Sequence, residues 1–111
     1  EMGMGADVHG RDYTKAAKRA VSDAIRHSSL NFFRALDKSP DDMKITVRVG
    51  VAEPNKVDTD AVAAELPYGS VSVECVLGGL NVPAASDHTP GSALGDTIVL
   101  ANAAVIVCFD E

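Results

Sequence analysis

The chain has 111 residues, a length that suits one domain with a buried core and is too short for two independent ones. Hydrophobic residues make up 46% and charged residues 23%, which excludes a disordered or fibrous chain. The formal net charge of −6 argues against general affinity for nucleic acid or anionic membranes, because both require a basic surface. We therefore expect a single domain over residues 1–111, with neither nucleic acid nor a membrane as partner.

The location of the protein follows from what its sequence lacks. No segment reaches the roughly 18–20 consecutive apolar residues that span a bilayer, and no signal peptide opens the chain. Cys75 and Cys108 lie in apolar runs, which is typical of reduced thiols in an intracellular core. We therefore predict a cytoplasmic protein. Because the chain begins at Glu1 instead of Met, a missing upstream segment, and with it an organellar location, stays open.

A helix is predicted after the N-terminal glycines. Asp12 or Thr14 can cap it, and small apolar residues follow at helical spacing, as Ala16-Ala17, Ala20-Val21 and Ala24-Ile25. His27 suits the negative end of this helix, and apolar character continues from Leu30 until Ser39-Pro40 ends it. The opposite face is basic, and we interpret it as solvated instead of anion-binding; it carries Lys15, Lys18, Arg19 and Arg26.

Three strands and a second helix are predicted further along. Strict alternation over 44–51 indicates a strand, and Asp58 can cap a short helix that ends at Pro67-Tyr68-Gly69. A strand from Ser70 to Leu77 ends at Gly78-Gly79. Residues 84–96 are rich in turn formers and predict a long loop, and 97–109 is apolar on both faces, as in a strand buried on both sides.

The order of these elements predicts the fold class. If the N-terminal motif ends a strand, the order is strand-helix-strand-helix-strand-strand. This indicates a small α+β or α/β domain, with a mixed sheet of about four strands and two or three helices on one face. The other face still carries apolar residues of the last strand. We expect a second subunit to cover it, which makes the protein a homo-oligomer.

The strongest indication of a site is the stretch Gly3-Met4-Gly5-Ala6-Asp7-Val8-His9-Gly10. In an extended chain Asp7 and His9 share one face, and the glycines Gly3, Gly5 and Gly10 let a ligand approach the backbone. A carboxylate and an imidazole can move a proton or hold a divalent metal. Alternatively, the glycines form a tight connection in which Asp7 accepts backbone hydrogen bonds. A dinucleotide fingerprint is excluded, because Val8 stands where its third glycine belongs.

Other candidate residues are scattered along the chain. Glu74 is the third candidate catalytic residue, with a cross-strand pair to Arg48 as the alternative. Asn102 interrupts an apolar strand, so it indicates either a buried polar network or a pocket. The remaining candidates for ligand binding are Lys15, Gly78, Gly79 and Asp96. No cofactor is specified; a divalent metal at Asp7 and His9 would need further ligands from Asp87, His88, Glu74 or Asp96.

The motif also carries a resemblance. Gly3, Gly5, Asp7, His9 and Gly10 match the pattern Gly-x-Gly-x-Asp-x-His-Gly in full, and the chain resembles a broadly distributed family of conserved hypothetical proteins defined by it. The resemblance implies an apolar strand before the motif, which this chain carries only in part, and plant members with N-terminal extensions make an organelle the alternative location. It implies no activity. It extends through Thr14–Ala17, Pro67–Gly69, Val73-Glu74, Gly78–Leu80, Leu94–Asp96 and Asn102–Val105.

Three functions are compatible with these features. The leading hypothesis is a homo-oligomeric enzyme for a small polar metabolite, with an intersubunit pocket near the motif. There Asp7 and His9 would serve as acid/base or metal-binding groups, and Lys15 or Glu74 would orient the substrate. The alternative is a non-catalytic metabolite-binding or regulatory module, and the third hypothesis is a structural oligomer without ligand.

Overall fold

The computed structural model describes residues 1–8, 12–27, 43–66, 69–83 and 97–109. These ranges form a small α+β domain with a mixed five-stranded sheet and two helices. A single 3₁₀ turn, Pro54–Lys56, precedes the second helix. The elements in chain order are β1 (Met2–Asp7), α1 (Tyr13–His27), β2 (Met43–Val51), α2 (Thr59–Ala63), β3 (Ser70–Leu77), β4 (Leu80–Pro83) and β5 (Thr97–Phe109).

The sheet is organised around β5. Its strand order is β1-β5-β2-β3, with β5 antiparallel to both neighbours and β2 parallel to β3. The short strand β4 pairs with residues 97–100 of β5, beyond the end of β2. Because β1 occupies the opposite edge of β5 over residues 99–104, β5 has a hydrogen-bonded partner along its whole length. The last strand in sequence is therefore the central strand of the sheet.

Gly78 and Gly79 mark the place where the chain changes partner. Here β3 ends its pairing with β2, and the chain passes the end of β2. It then continues in the same direction and forms β4, which pairs with β5. The Gly78 N–H donates to the Val51 carbonyl at 2.9 Å, and Gly79 has a φ of 63°. A Cβ at Gly79 would overlap the carbonyl oxygen of Leu100. The predicted strand end is confirmed, and its glycines serve a close crossing of backbones.

One face of the sheet is covered by α1. Buried alanines of the helix meet a row of buried β-branched residues, as the alternation in 44–51 predicts. Neither helix in the described ranges has the length and apolar character needed to cross a membrane. The core between the two layers contains Ala16, Ala17, Ala20, Val21 and Ala24 from α1, and Ile45, Val47, Val49, Val51, Val99, Ala101 and Ala103 from the sheet.

Helix α1 lies unusually close to β1. A Cβ at Gly3 would overlap backbone atoms of Ala20 and Ala24, and a Cβ at Gly5 would overlap those of Ala16 and Ala20. Only residues without a side chain on the strand and with a methyl group on the helix permit this approach. The group that approaches the motif glycines is therefore the protein's own helix and not a ligand, which corrects the prediction for Gly3 and Gly5.

The helix caps agree with the sequence. The Asp12 carboxylate accepts the Lys15 N–H at 3.0 Å, so Asp12 and not Thr14 caps α1, and His27 is its last residue. The Thr14 hydroxyl accepts the Asp58 N–H, while Asp58 caps α2 as predicted. The apolar run after Leu30 and the loop at 84–96 lie outside the described residues. The strand β4, which makes the sheet five-stranded instead of four-stranded, is absent from the prediction.

Within one chain, strand β5 is buried on one side only, and its other side is the one that the sequence assigns to a second subunit. Its residues alternate between the helix-covered face and a second face, which we call the open face. Asn102 and Cys108 are exposed there, so neither the buried polar network nor a core position for Cys108 is correct. Large apolar side chains on this face remain exposed to 52–69%, namely Met2, Met4, Leu80 and Ile106.

The outer edge of β1 is capped by side chains of α1. In an antiparallel pair, only every second residue exchanges backbone hydrogen bonds with the partner strand. In β1 these are the odd-numbered residues, so the even-numbered ones direct their backbone N–H and C=O groups away from β5. The Met4 N–H donates to Asp23 Oδ2 at 3.0 Å, and Arg19 Nη1 donates to the Ala6 carbonyl at 2.6 Å. These two contacts oppose the pairing of a further strand along this edge.

The close packing of β1 on α1 leads us to predict that the substitution Gly5→Ala lowers stability. The added methyl group must displace helix backbone, so we expect the free energy of unfolding to fall by about 1–3 kcal/mol in urea titrations. Gly50→Ala is the matched control, because a Cβ there would meet its nearest atom at 3.4 Å, an ordinary contact. Equal effects of the two substitutions would contradict this account of the motif glycines.

Candidate functional site

Asp7 is the one buried charged residue among the described residues. It ends β1, and its Oδ2 accepts the Asp12 N–H at 3.0 Å just before α1 begins. Its Oδ1 lies 3.8 Å from Arg19 Nη1, one helical turn and a half into α1. The carboxylate therefore joins the end of the strand to the start of the helix, across the connection that contains the second half of the motif.

This arrangement defines what Asp7 can do. Its side chain is 4% exposed, and both oxygens face groups of the protein itself. A carboxylate held in this way positions the connection between strand and helix, which is the structural alternative considered for the motif. No buried side-chain polar atom in the described ranges lacks a hydrogen-bond partner. His9 and Gly10, the other half of the predicted site, lie outside those ranges.

A second polar group lies at the same end of the sheet. The Tyr13 hydroxyl donates to Glu53 Oε2 at 2.7 Å and accepts from Asn81 Nδ2 at 2.8 Å. Asn81 and Asp7 both pair with Val99, so they flank it on the helix-covered face. The sequence analysis missed this network, because its three members come from distant segments. The available signal for this network was Tyr13, the first residue of a helix face that otherwise consists mainly of alanine.

An open groove of 520 Å³ lies between α1 and α2 beside the N-terminus of α1. We call it the α1–α2 groove. Lys15, the one ligand-binding candidate that the structure places here, lines it together with two further basic residues of α1 that the sequence analysis treated as solvated. Its lining residues are Asp12, Thr14, Lys15, Lys18, Arg19, Ser22, Ala61 and Glu65.

The charges of the α1–α2 groove are partly paired. Lys18 Nζ lies 3.6 Å from Glu65 Oε1, an ion pair that links α1 to the turn after α2. Arg19 borders the groove and also contacts the Asp7 carboxylate and the Ala6 carbonyl. The groove is therefore joined to the buried Asp7 through one guanidinium group.

Glu74 and Asn102 lie elsewhere. Glu74 Oε2 accepts from Arg48 Nη2 at 3.1 Å across two neighbouring strands, on the open face of the sheet. Asp7 lies on the opposite face, so a single chain does not bring Glu74 together with Asp7, the first member of the predicted catalytic set of Asp7, His9 and Glu74. Asn102 also lies on the open face, between Met4 and Gly50.

The remaining predicted ligand-binding residues do not form a common site. Gly3 and Gly5 contact α1, while Gly78 and Gly79 contact the backbone of neighbouring strands. These four glycines therefore serve backbone packing instead of ligand binding. Asp96 lies in the stretch between β4 and β5 that the structure does not describe.

Metal-ligating side chains do not form a cluster in the described part of the chain, and the Cys75 thiol is partly buried. Residues 1–8, 12–27, 43–66, 69–83 and 97–109 contain no group of three His, Cys, Asp or Glu side chains arranged to hold a metal ion. Burial raises the pKa of the Cys75 thiol, which reduces its thiolate fraction near neutral pH. The basic lining of the α1–α2 groove favours an anion over a cation.

Fold and site together define a small α+β protein whose mixed sheet has one helix-covered face and one open face. The family model for conserved hypothetical proteins named Lin0512_fam matches residues 1–107. A crystal structure from Nostoc punctiforme, described as an FtsZ-like protein of unknown function, has a TM-score of 0.81 and 36% sequence identity. The match covers 100% of this chain and 93% of that one. No curated protein matches the sequence. The chain therefore belongs to the Lin0512_fam family, as its resemblance implied.

From the contacts of Asp7 we predict that replacing this residue lowers the stability of the protein. Asp7→Ala removes the acceptor of the Asp12 N–H and the partner of Arg19, so we expect the free energy of unfolding to fall by about 1–3 kcal/mol. Asp7→Asn should cost less, because an amide oxygen still accepts that N–H. Chemical denaturation of both variants measures the difference, with the exposed Asp60→Ala as the control. An alanine variant as stable as the wild type would rule out the positioning role.

Proposed function

We propose that this protein is a homo-oligomeric module that binds a small polar metabolite in the α1–α2 groove, next to the N-terminal motif. The observation that carries the proposal is the groove itself. Its 520 Å³ falls within the range of about 300–1,000 Å³ typical of small-molecule sites. It is lined mainly by charged and hydroxyl side chains, and one of them, Lys15, is a ligand-binding candidate that the sequence itself indicates.

In this proposal the motif builds the site without touching the ligand. Gly3 and Gly5 set the position of α1, and Asp7 fixes the start of that helix through the Asp12 N–H. Because every basic residue of the groove stands on α1, the position of this helix determines where those side chains lie. Binding without catalysis is favoured over an enzyme, because the buried Asp7 carboxylate already faces protein groups.

We further propose that a second copy of the chain covers the open face. Met2, Met4, Leu80 and Ile106 leave apolar surface exposed on it, and such patches are typical of interfaces between proteins. The charge of the face suits self-association. The chain as a whole carries −6, whereas the charged side chains described on this face are Lys44, Arg48 and Glu74, so two copies meet without strong repulsion.

The capped edge supports contact through the face. Strand β1 could otherwise recruit a partner by adding a strand to the sheet, but Asp23 and Arg19 occupy its outward backbone groups at Met4 and Ala6. An isologous pair of open faces would also bring the Arg48–Glu74 pairs of both copies into one interface.

Ligand binding is tested by thermal unfolding in a panel of sugars, hydroxy acids, amino acids and phosphate esters. We expect at least one compound to raise the Tm of the wild type by about 5 °C at ten times its Kd. The Lys15→Ala/Lys18→Ala double variant should lose this shift, while Lys56→Ala, which lies outside the groove, keeps it. A panel without any stabilising compound, or equal shifts in both variants, would refute binding in the groove.

Self-association is tested by light scattering coupled to size exclusion. A wild type that forms dimers or larger closed oligomers should have a mass of at least twice 11.6 kDa, and Ile106→Glu should reduce it to that of one chain. Leu77→Glu is the matched control, because Leu77 is 79% exposed but belongs to the face opposite the open one. Circular dichroism checks that both variants fold. A monomeric wild type, or an unchanged mass for Ile106→Glu, would contradict the proposed interface.

A further inference from the structure

We infer that the ligand of the α1–α2 groove is a small anion, a carboxylate or phosphate that also carries hydroxyl or amino groups. This inference rests on the proposed function and names the chemistry of its ligand. Three basic and two acidic side chains line one small groove, a net excess of one positive charge, although the chain is acidic overall with a formal net charge of −6. Such a local excess of positive charge attracts anions that the rest of the surface repels.

The basic side chains differ in how far the protein already neutralises them. Within the described residues the Lys15 ammonium makes no ion pair, and Lys18 has one partner, Glu65, at 3.6 Å. The Lys18 side chain is 42% exposed, so this pair remains accessible to an anion. Arg19 faces the Asp7 carboxylate at 3.8 Å and donates one hydrogen bond, to the Ala6 carbonyl, so most of its five N–H donors make no hydrogen bond in the described part of the chain.

The start of α1 strengthens the attraction. The partial positive charge of a helix N-terminus favours negative groups, and the first turn of α1 contains no acidic residue. Lys15 lies in that turn, where the helix dipole by itself disfavours a cation. The Asp12 cap provides one negative charge. A bound anion would supply another at a place where both the helix and Lys15 favour it.

The uncharged and acidic residues of the groove narrow the class of ligand. Thr14 Oγ1 accepts the Asp58 N–H, so its own hydroxyl hydrogen is available to donate, and Ser22 offers a second hydroxyl. Asp12 Oδ1 accepts the Lys15 N–H and Glu65 Oε1 faces Lys18, so the second oxygen of each carboxylate can accept a hydrogen bond from a ligand. Hydroxy acids, amino acids and sugar phosphates provide donors for these two oxygens.

The structure also explains why we interpret the basic face of α1 as anion-binding, whereas the sequence alone indicates a solvated face. A basic face on a single helix is usually solvated. Here α2 and the turn after it bring Ala61 and Glu65 to that face, and the Thr14–Asp58 hydrogen bond fixes the start of α2 against α1. The basic residues therefore form one wall of a groove instead of an open surface.

The test is a titration of the ¹⁵N-labelled wild-type protein with citrate, with inorganic phosphate and with glucose, followed by amide chemical shifts. We expect citrate or phosphate to shift the amides of Lys15, Lys18, Arg19 and Ser22 with saturation, and glucose to leave them unchanged. The two anion arms show whether a carboxylate or a phosphate is preferred. Raising the salt concentration should weaken binding, because the contacts are partly exposed to solvent.

Variants separate a specific site from general attraction. Lys15→Gln/Lys18→Gln should weaken the preferred anion at least tenfold, while Arg26→Gln, on the same helix but outside the groove, keeps the wild-type affinity. Equal weakening by both, or no saturating shift with either anion, would overturn the anion inference. If a neutral compound of the thermal panel shifts the same amides, the anion inference fails and the proposed function stands. If no compound shifts them, both fail.

Discussion

The close contact between β1 and α1 is the constraint on which the rest of the structure depends. Gly3 and Gly5 lie against the backbone of Ala16, Ala20 and Ala24, with no room for a Cβ on the strand. This contact fixes the height and direction of α1 above the sheet. It thereby sets the position of Asp12, which caps the helix and donates its N–H to the Asp7 carboxylate, and of the basic residues along the outer face of the helix.

Two surfaces with different chemistry result from this arrangement. The outer side of the helical layer carries a polar groove that suits a small ligand, and the far side of the sheet carries exposed methionine, leucine and isoleucine side chains that suit a protein partner. Arg19 belongs to the first surface and also reaches the edge of β1 and the buried Asp7. The sheet therefore separates the groove that we propose binds a ligand from the face that we propose binds a second copy, while the Arg19 side chain connects the groove to the interior.

The sequence predicted elements whose signals are local. Alternation located β2 and β3, and Asp12 and Asp58 located the starts of the helices, because a cap acts on the residues that follow it. Non-local features were missed or misassigned. The partner of Gly5 is Ala20, and the faces of Asp7 and Glu74 depend on strand register, which no spacing in the chain reveals. Strand β4 has four residues, too few for periodicity.

The capped edge of β1 has a consequence for the size of any assembly. A sheet with a free edge can grow strand by strand without limit, as in fibrils. Asp23 and Arg19 close this route at β1 by occupying Met4 and Ala6. Contact between two open faces is different, because each copy uses up the surface by which it associates. An assembly built in this way stops growing once its faces are paired, so a higher protein concentration increases the fraction of chains that are paired but not the size of the assembly.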